Sequence, residues 1–201
     1  WRIYARARLY ETQGADRAAA LGRAFDELYA RLSDREMAVV LPTYGANLTP
    51  LRDRAQETAA ACAGVLLAEC ETAVQAALRE LDEELGLRLE ESSVLGILDD
   101  YPTRSGYLIT PVVVWAGRDP QLKPNPGEVA SVHRIPVSHI IREDAVSFQA
   151  IPESERLVVR IFIENNHVNA PTAALLYQFR EVLVGRTTRV AHYEQPVFAW
   201  R

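Results

Sequence analysis

The sequence predicts a mixed-sheet domain of the α/β or α+β class, with helices packed on the sheet. Three observations predict it. Short β-branched runs, MAVVL at Met37–Leu41 and TPVVVW at Thr110–Trp115, have the length and composition of strands. Apolar residues at helical spacing mark two or three separate helices. Strands and helices alternate without the regular rhythm of βαβ units. The 201 residues, 48% of them hydrophobic, suffice for one medium domain with a sizeable core.

In chain order, IYARARLY (residues 3 to 10) alternates charged and apolar side chains and reads as a strand. Asp16 opens a helical pattern in which Leu21, Phe25, Leu28 and Leu32 share a face. MAVVL follows as a strand stopped by Pro42, then a loop over 42 to 54 with Pro42, Gly45, Asn47 and Pro50. The strongest helix begins at Thr72. Thr72 and Gln75 have capping-box spacing, Val74, Ala77, Leu78, Leu81 and Leu85 form one stripe, and Gly86 is placed to end it. Strands are expected at Val94–Leu98, Leu108–Trp115, Glu128–Ile135 and Leu157–Ile163, divided by the turn-forming stretches YPTRSG and KPNPGE. TPVVVW suits a strand buried on both faces. A closing helix runs from Pro171 to about Val184, with Gly185 at its end. The tail RVAHYEQPVFAW is read as a further strand. One domain over residues 1–201 is expected, with 1–36 as an N-terminal strand and helix extension and 37–201 as its core.

Charge and cysteines narrow the function classes. The net charge of −5 argues against nucleic acid as a partner, because phosphate backbones need a basic face. An acidic protein that handles a phosphorylated molecule needs metal ions where like charges meet. No apolar run approaches the length of a membrane span, and the first residues lack a signal peptide's apolar region. The two cysteines, Cys62 and Cys70, fit neither a disulfide framework nor a zinc site, and they suit reduced thiols in a cytoplasmic protein. His133, His139, His167 and His192 are scattered without metal-ligand spacing. FREVLVGRTTR is basic and reads as a solvated helix end, with contact to substrate phosphates or a partner as the other reading.

The stretch RELDEELGL (residues 79 to 87) carries the chemistry. Spacings of three and four place Glu80 with Glu83 and Glu84, away from the stripe of Leu78, Leu81 and Leu85. Like charges this close repel by a few tenths of a kcal/mol per pair, and a hard divalent cation, Mg²⁺ or Mn²⁺, reverses that sign. Arg79 lies one turn before Glu83 and can hold it by an ion pair. Taken alone, three such carboxylates also describe an ordinary solvated face.

The wider pattern is more specific. From Glu71 the chain reads Glu, seven residues, Arg-Glu, an aliphatic, one residue, Glu-Glu, one residue, Gly, an aliphatic. This resembles the signature of the Nudix hydrolases. The resemblance implies an α/β/α sandwich and cleavage of a pyrophosphate within a nucleoside diphosphate linked to another group. It assigns the metal to Glu80, Glu83 and Glu84, orientation of the cluster to Arg79, and a supporting role to Glu71. LGILDDYPTRSGYLITPVVV and LKPNPGEVASVHRIPVSHI resemble the branch associated with coenzyme A pyrophosphatase activity, as does NNHVNAPTAALLYQFREVL, where a strand, a short turn and a closing helix are implied. By that resemblance Asp99, Asp100, Tyr101, Thr103 and Tyr107 lie on a loop facing the substrate; an ordinary polar turn is the other reading of each. Glu128, after a loop holding two prolines, is a candidate general base or metal ligand, or a surface residue starting a strand. The implied partner is a small nucleotide-type molecule, and family members often pair as homodimers.

Upstream the match fades. Leu48, Thr49 and Arg52 echo the branch's substrate-contacting segment. The family's Phe-Pro-Gly-Gly stretch, however, is replaced by ACAGVLLAEC. Gly64 remains, six residues before Glu71 where five are usual, and Ala63 stands where a second glycine is expected. Alanine enters the positive-φ conformations of such a loop only with strain. Three readings therefore stay open: a coenzyme A pyrophosphatase, a pyrophosphatase for ADP-ribose or dinucleotides, and a Nudix-like binding or regulatory protein without catalysis.

Overall fold

A computed structural model describes residues 2–6, 38–44, 72–104, 106–163 and 166–200, with backbone alone for 2–6, 38–44 and 199–200. The expected N-terminal helix, the 45–54 loop and the ACAGVLLAEC stretch lie outside the described residues.

The central strand is β5 (Leu108–Val114). It pairs antiparallel with β1 (Arg2–Arg6) on one side and with β3 (Val94–Ile97) on the other. The two-residue β4 (Tyr101–Pro102) pairs with the start of β5. A second ladder joins β2 (Ala38–Tyr44) to β6 (Val129–Pro136), and a third runs β7 (Val146–Ile151), β8 (Ser154–Ile163), β9 (Asn166–Asn169). Among the described residues three helices accompany them: α1 (Ala73–Leu85), the one-turn α2 (Val137–Ile140) and α3 (Thr172–Leu183).

β5 shows why the layers form. Successive side chains of a strand point to opposite faces. Val112 and Val114 meet Ala77, Leu81 and Leu85 of α1, whereas Val113 meets the cluster built on α3, with Ala173, Leu176 and Phe179. All three valines are buried, as the β-branched run predicts for a strand covered on both sides. A sheet with one helix packed on each face is an α/β/α sandwich.

The helix ends follow from sequence. Thr72 Oγ1 accepts from the Gln75 N–H at 3.1 Å while Gln75 Oε1 accepts from the Thr72 N–H at 3.0 Å, closing the capping box. Gly86 takes φ 61° and its N–H donates to the Asp82 carbonyl at 2.8 Å. α3 starts after Pro171 and ends at Gly185, φ 74°, where the Gly185 and Arg186 N–H groups donate to Val182 and Glu181.

Some expectations change. β2 runs through Pro42, which stands opposite Val132. Half the positions of an antiparallel strand donate nothing to the neighbour, and a proline is tolerated at one of them. The tail forms no strand: Glu194 makes a single parallel bridge with Val158, and Val197–Trp200 is a 3-10 turn. The helix end read as basic and solvated is in part neither, since Arg180 is buried against Glu181, which also binds Arg186.

Candidate active site

α1 presents Arg79, Glu80 and Glu83 together. One guanidinium links the two carboxylates, with Arg79 Nη1 donating to Glu83 Oε2 at 2.9 Å and Nη2 donating to Glu80 Oε1 at 3.0 Å. The pairing expected one turn apart is therefore made, and the same arginine offsets the repulsion between Glu80 and Glu83. Glu84 differs from Glu83 in exposure. Its residue is 1% exposed, on the packed side of the helix beside Leu81 and Leu85. Position 84 follows Leu81 by three, so it lies at the edge of the apolar stripe as much as at the edge of the acidic face. Among the described residues no three His, Cys, Asp or Glu side chains close into a ready-made ligand set. The donor chemistry still fits a hard cation, with three carboxylates inside one and a half helical turns and none of the soft ligands that zinc or copper favour.

The segment 122–128 closes over the C-terminal end of α1. The Lys123 N–H donates to the Leu85 carbonyl at 2.7 Å and the Asn125 N–H to the Glu84 carbonyl at 2.8 Å. These carbonyls belong to the last turn, which has no partners within the helix. The approach is close: a Cβ on Gly86 would lie 3.0 Å from Lys123 Cβ. Asn125 then reaches Glu128, Nδ2 donating to Glu128 Oε2 at 3.2 Å. Glu128, in the sequence a candidate base or metal ligand or else a surface residue starting a strand, is thereby attached to the helix of glutamates.

The 99–107 segment divides its residues. Thr110 donates to Asp100 Oδ1 at 2.6 Å, and Thr110 shares a strand face with Val112 and Val114. Asp100 thus lies on the α1 side of the sheet. Asp99 uses its N–H on Gln178 Oε1 of α3 at 3.1 Å. Thr103 and Tyr107 close the β4–β5 hairpin, where Thr103 Oγ1 accepts from the Tyr107 N–H and donates to the Tyr107 carbonyl, both at 2.9 Å. Tyr101 corrects the expectation of a substrate-facing side chain. It is fully buried in the α3-side core, and its hydroxyl donates to the Tyr193 carbonyl at 3.1 Å. Its neighbour across the ladder, Ile109, packs in the same core, so the pleat turns both rings and branches inward. Burial pushes the Tyr101 phenol up to about 12, which keeps it a donor. Arg52, Gly64 and Glu71 lie outside the described residues.

The hairpin is also held by residues that sequence reading passed over. Arg104 grips Glu194 through Nε at 3.1 Å and Nη2 at 2.8 Å, and its N–H donates to Gln195 Oε1 at 2.6 Å. Ser154 Oγ donates to the same carboxylate at 2.9 Å, as does the Gln195 N–H. Glu194 is 2% exposed. The Arg104 guanidinium, followed by hydrogen bonds from Gln195 and Ser154, outweighs burial and lowers the Glu194 carboxyl from 4.5 to about 2. A depressed carboxylate adds stability above its ordinary value, and that stability is lost as pH falls towards the folded value. Glu194→Gln should therefore flatten the loss of stability between about pH 4.5 and about pH 2, measured by denaturant unfolding across that window. A parent and variant with the same slope would show that Glu194 is not so held.

Residues 38–154, more than half of the chain, match the family model for the NUDIX domain. The chain is 35% identical over 68 residues to an uncharacterized Nudix hydrolase NudL of Photorhabdus laumondii, covering 34% of this chain and 36% of the relative. It is 39% identical over 71 residues to the human mitochondrial coenzyme A diphosphatase NUDT8, covering 34% of this chain and 30% of that protein. The chain thus spans about a third of the length of the curated relatives it matches. With the signature glutamates on a capped helix against the sheet and the family model running through them, the chain belongs to the Nudix family.

Proposed function

We propose that the protein is a metal-dependent hydrolase that cleaves the pyrophosphate of a nucleoside-diphosphate-linked molecule, coenzyme A or a derivative of it. The observation that carries this reading is the joining of Glu80 and Glu83 by Arg79 on a helix whose end also holds the loop of Glu128. The likeness to a coenzyme A diphosphatase over a third of the chain supports the substrate class.

Nudix hydrolases generally use divalent metal ions, and Glu80, Glu83 and Glu84 would hold Mg²⁺ or Mn²⁺ here. Such an ion, when bound, neutralises phosphate charge and favours ionisation of a bound water. Arg79 keeps Glu80 and Glu83 at fixed separation. In the hydrolysis a water oxygen forms the new bond to phosphorus, the phosphoanhydride P–O bond breaks, and Glu128 takes the proton of the attacking water. Glu71 would support the cluster, and Gly64 is the glycine that remains of the family's pair upstream. Asp100, Thr103 and Tyr107, with Arg52 from upstream, would contact the substrate. The same reading has the protein working in the cytoplasm as a homodimer; no helix among the described residues is long and apolar enough to cross a membrane.

A hydrolysis screen with Mg²⁺ and Mn²⁺ over coenzyme A, ADP-ribose, NADH and nucleoside triphosphates tests the proposal. Cleavage of coenzyme A is the expected result. Preferred cleavage of ADP-ribose or NADH would move the substrate class. No turnover of any would favour the binding or regulatory reading that ACAGVLLAEC, in place of the family's glycine pair, motivates.

A further inference from the structure

We propose that Asn125 is a positioning residue, fixing the Glu128 carboxylate relative to the glutamates of α1. The proposal rests on the hydrolase reading above for its kinetic consequence, and on geometry for the link itself. Asn125 works at both ends. Its backbone N–H donates to the Glu84 carbonyl at 2.8 Å, and its own carbonyl accepts from the Glu128 and Val129 N–H groups at 3.1 and 2.8 Å. Its side chain accepts from the Gly127 N–H at 3.0 Å through Oδ1 and donates to Glu128 Oε2 at 3.2 Å through Nδ2. One residue thus joins the last turn of α1 to the carboxylate three positions on.

The residue type matters. The turn needs a side-chain acceptor for an N–H two positions ahead, which Asn or Asp supplies. The carboxylate needs a donor, which only the amide supplies. The amide orientation is fixed by the same logic, since a flipped side chain would set an oxygen against Glu128 and a donor against the Gly127 N–H. Pro124 and Pro126 flank it, each locking a φ, and the second restricts Asn125 itself to extended conformations. At Gly86, with φ 61° and no side chain, the helix end admits this loop at contact distance. Little slack remains between Glu128 and the helix turn that carries Glu80 and Glu83. Backbone bonds of this kind would form with many residues here, so the specific contribution of Asn125 is the aim of the Glu128 side chain.

The test compares Asn125→Asp, which keeps the turn acceptor and removes the donor, with the parent and with Glu128→Gln. With Mg²⁺ and coenzyme A, Asn125→Asp should lower kcat about tenfold, with KM within about twofold, because a misaimed reacting group costs rate more than binding. In the Glu128→Gln background the same change should add less than about twofold, as coupled residues do. Equal losses in both backgrounds, or a loss confined to KM, would overturn the proposal. A second measurement does not depend on turnover. In a ¹H–¹⁵N spectrum the Asn125 side-chain amide should shift on Glu128→Ala, while the Asn125 backbone amide stays protected from exchange by Glu84. An unmoved side-chain amide overturns the link whether or not a substrate is found. A moved amide in a protein that hydrolyses nothing upholds the link and removes the hydrolase reading instead.

Discussion

Glu83→Gln should cut turnover of a pyrophosphate substrate by about a thousandfold and leave the fold in place. Glu83 is 41% exposed and pairs with Arg79 across one helical turn. An exposed pair at this spacing stabilises by only about 0.3–0.5 kcal/mol. Glutamine keeps the shape and a hydrogen-bond acceptor, so the melting temperature should fall by no more than about 2 °C. What glutamine removes is a full negative charge among donors whose proposed task is to hold a cation against phosphates. The expected signature is a collapse of kcat in Mg²⁺, with a near-parental circular dichroism melt. Retained activity would remove Glu83 from the site.

The largest expected loss of stability is at Phe179→Ala. Phe179 is fully buried in α3 and belongs to the cluster with Val113, Ile161 and Leu176. Truncating a buried phenylalanine costs about 3–5 kcal/mol, part of it for the cavity left behind. A domain's whole stability is about 5–15 kcal/mol, so one ring carries a large share. For a chain of this size the melting temperature should drop by about 6–20 °C. The change should spare the candidate site, because α1 packs on Val112 and Val114, on the other face of β5. Assayed well below its melting point, the variant should turn over at the parental rate. A loss below about 1 kcal/mol would mean that α3 is not packed as described.

What could be read from the sequence was local. The capping box of Thr72 and Gln75, the stop at Gly86, the Arg79–Glu83 pair and the doubly buried TPVVVW all depend on residues a few positions apart. What escaped was set by distant partners. Arg104 and Glu194 are separated by 90 positions, and nothing near either announces the other. Tyr101 looked polar beside Asp99 and Asp100, yet the pleat of β4 turns it to the core. β7 has four exposed residues among six, so its composition resembles a loop until β8 pairs with it. Spacing groups Glu84 with Glu80 and Glu83, but its 1% exposure comes from helix packing that spacing alone does not show.

The alternate use of β5 has an evolutionary consequence. Because Val112 and Val113 serve opposite cores, substitution can remodel one helix's seat while leaving the other's intact. Insertion or deletion of a single residue within Leu108–Val114 has no such freedom, since it exchanges the two faces for every position beyond it. Lineages of this protein should therefore vary widely in what lines each side of this strand while its length stays constant, with changes in chain length taken up in the turns that flank it.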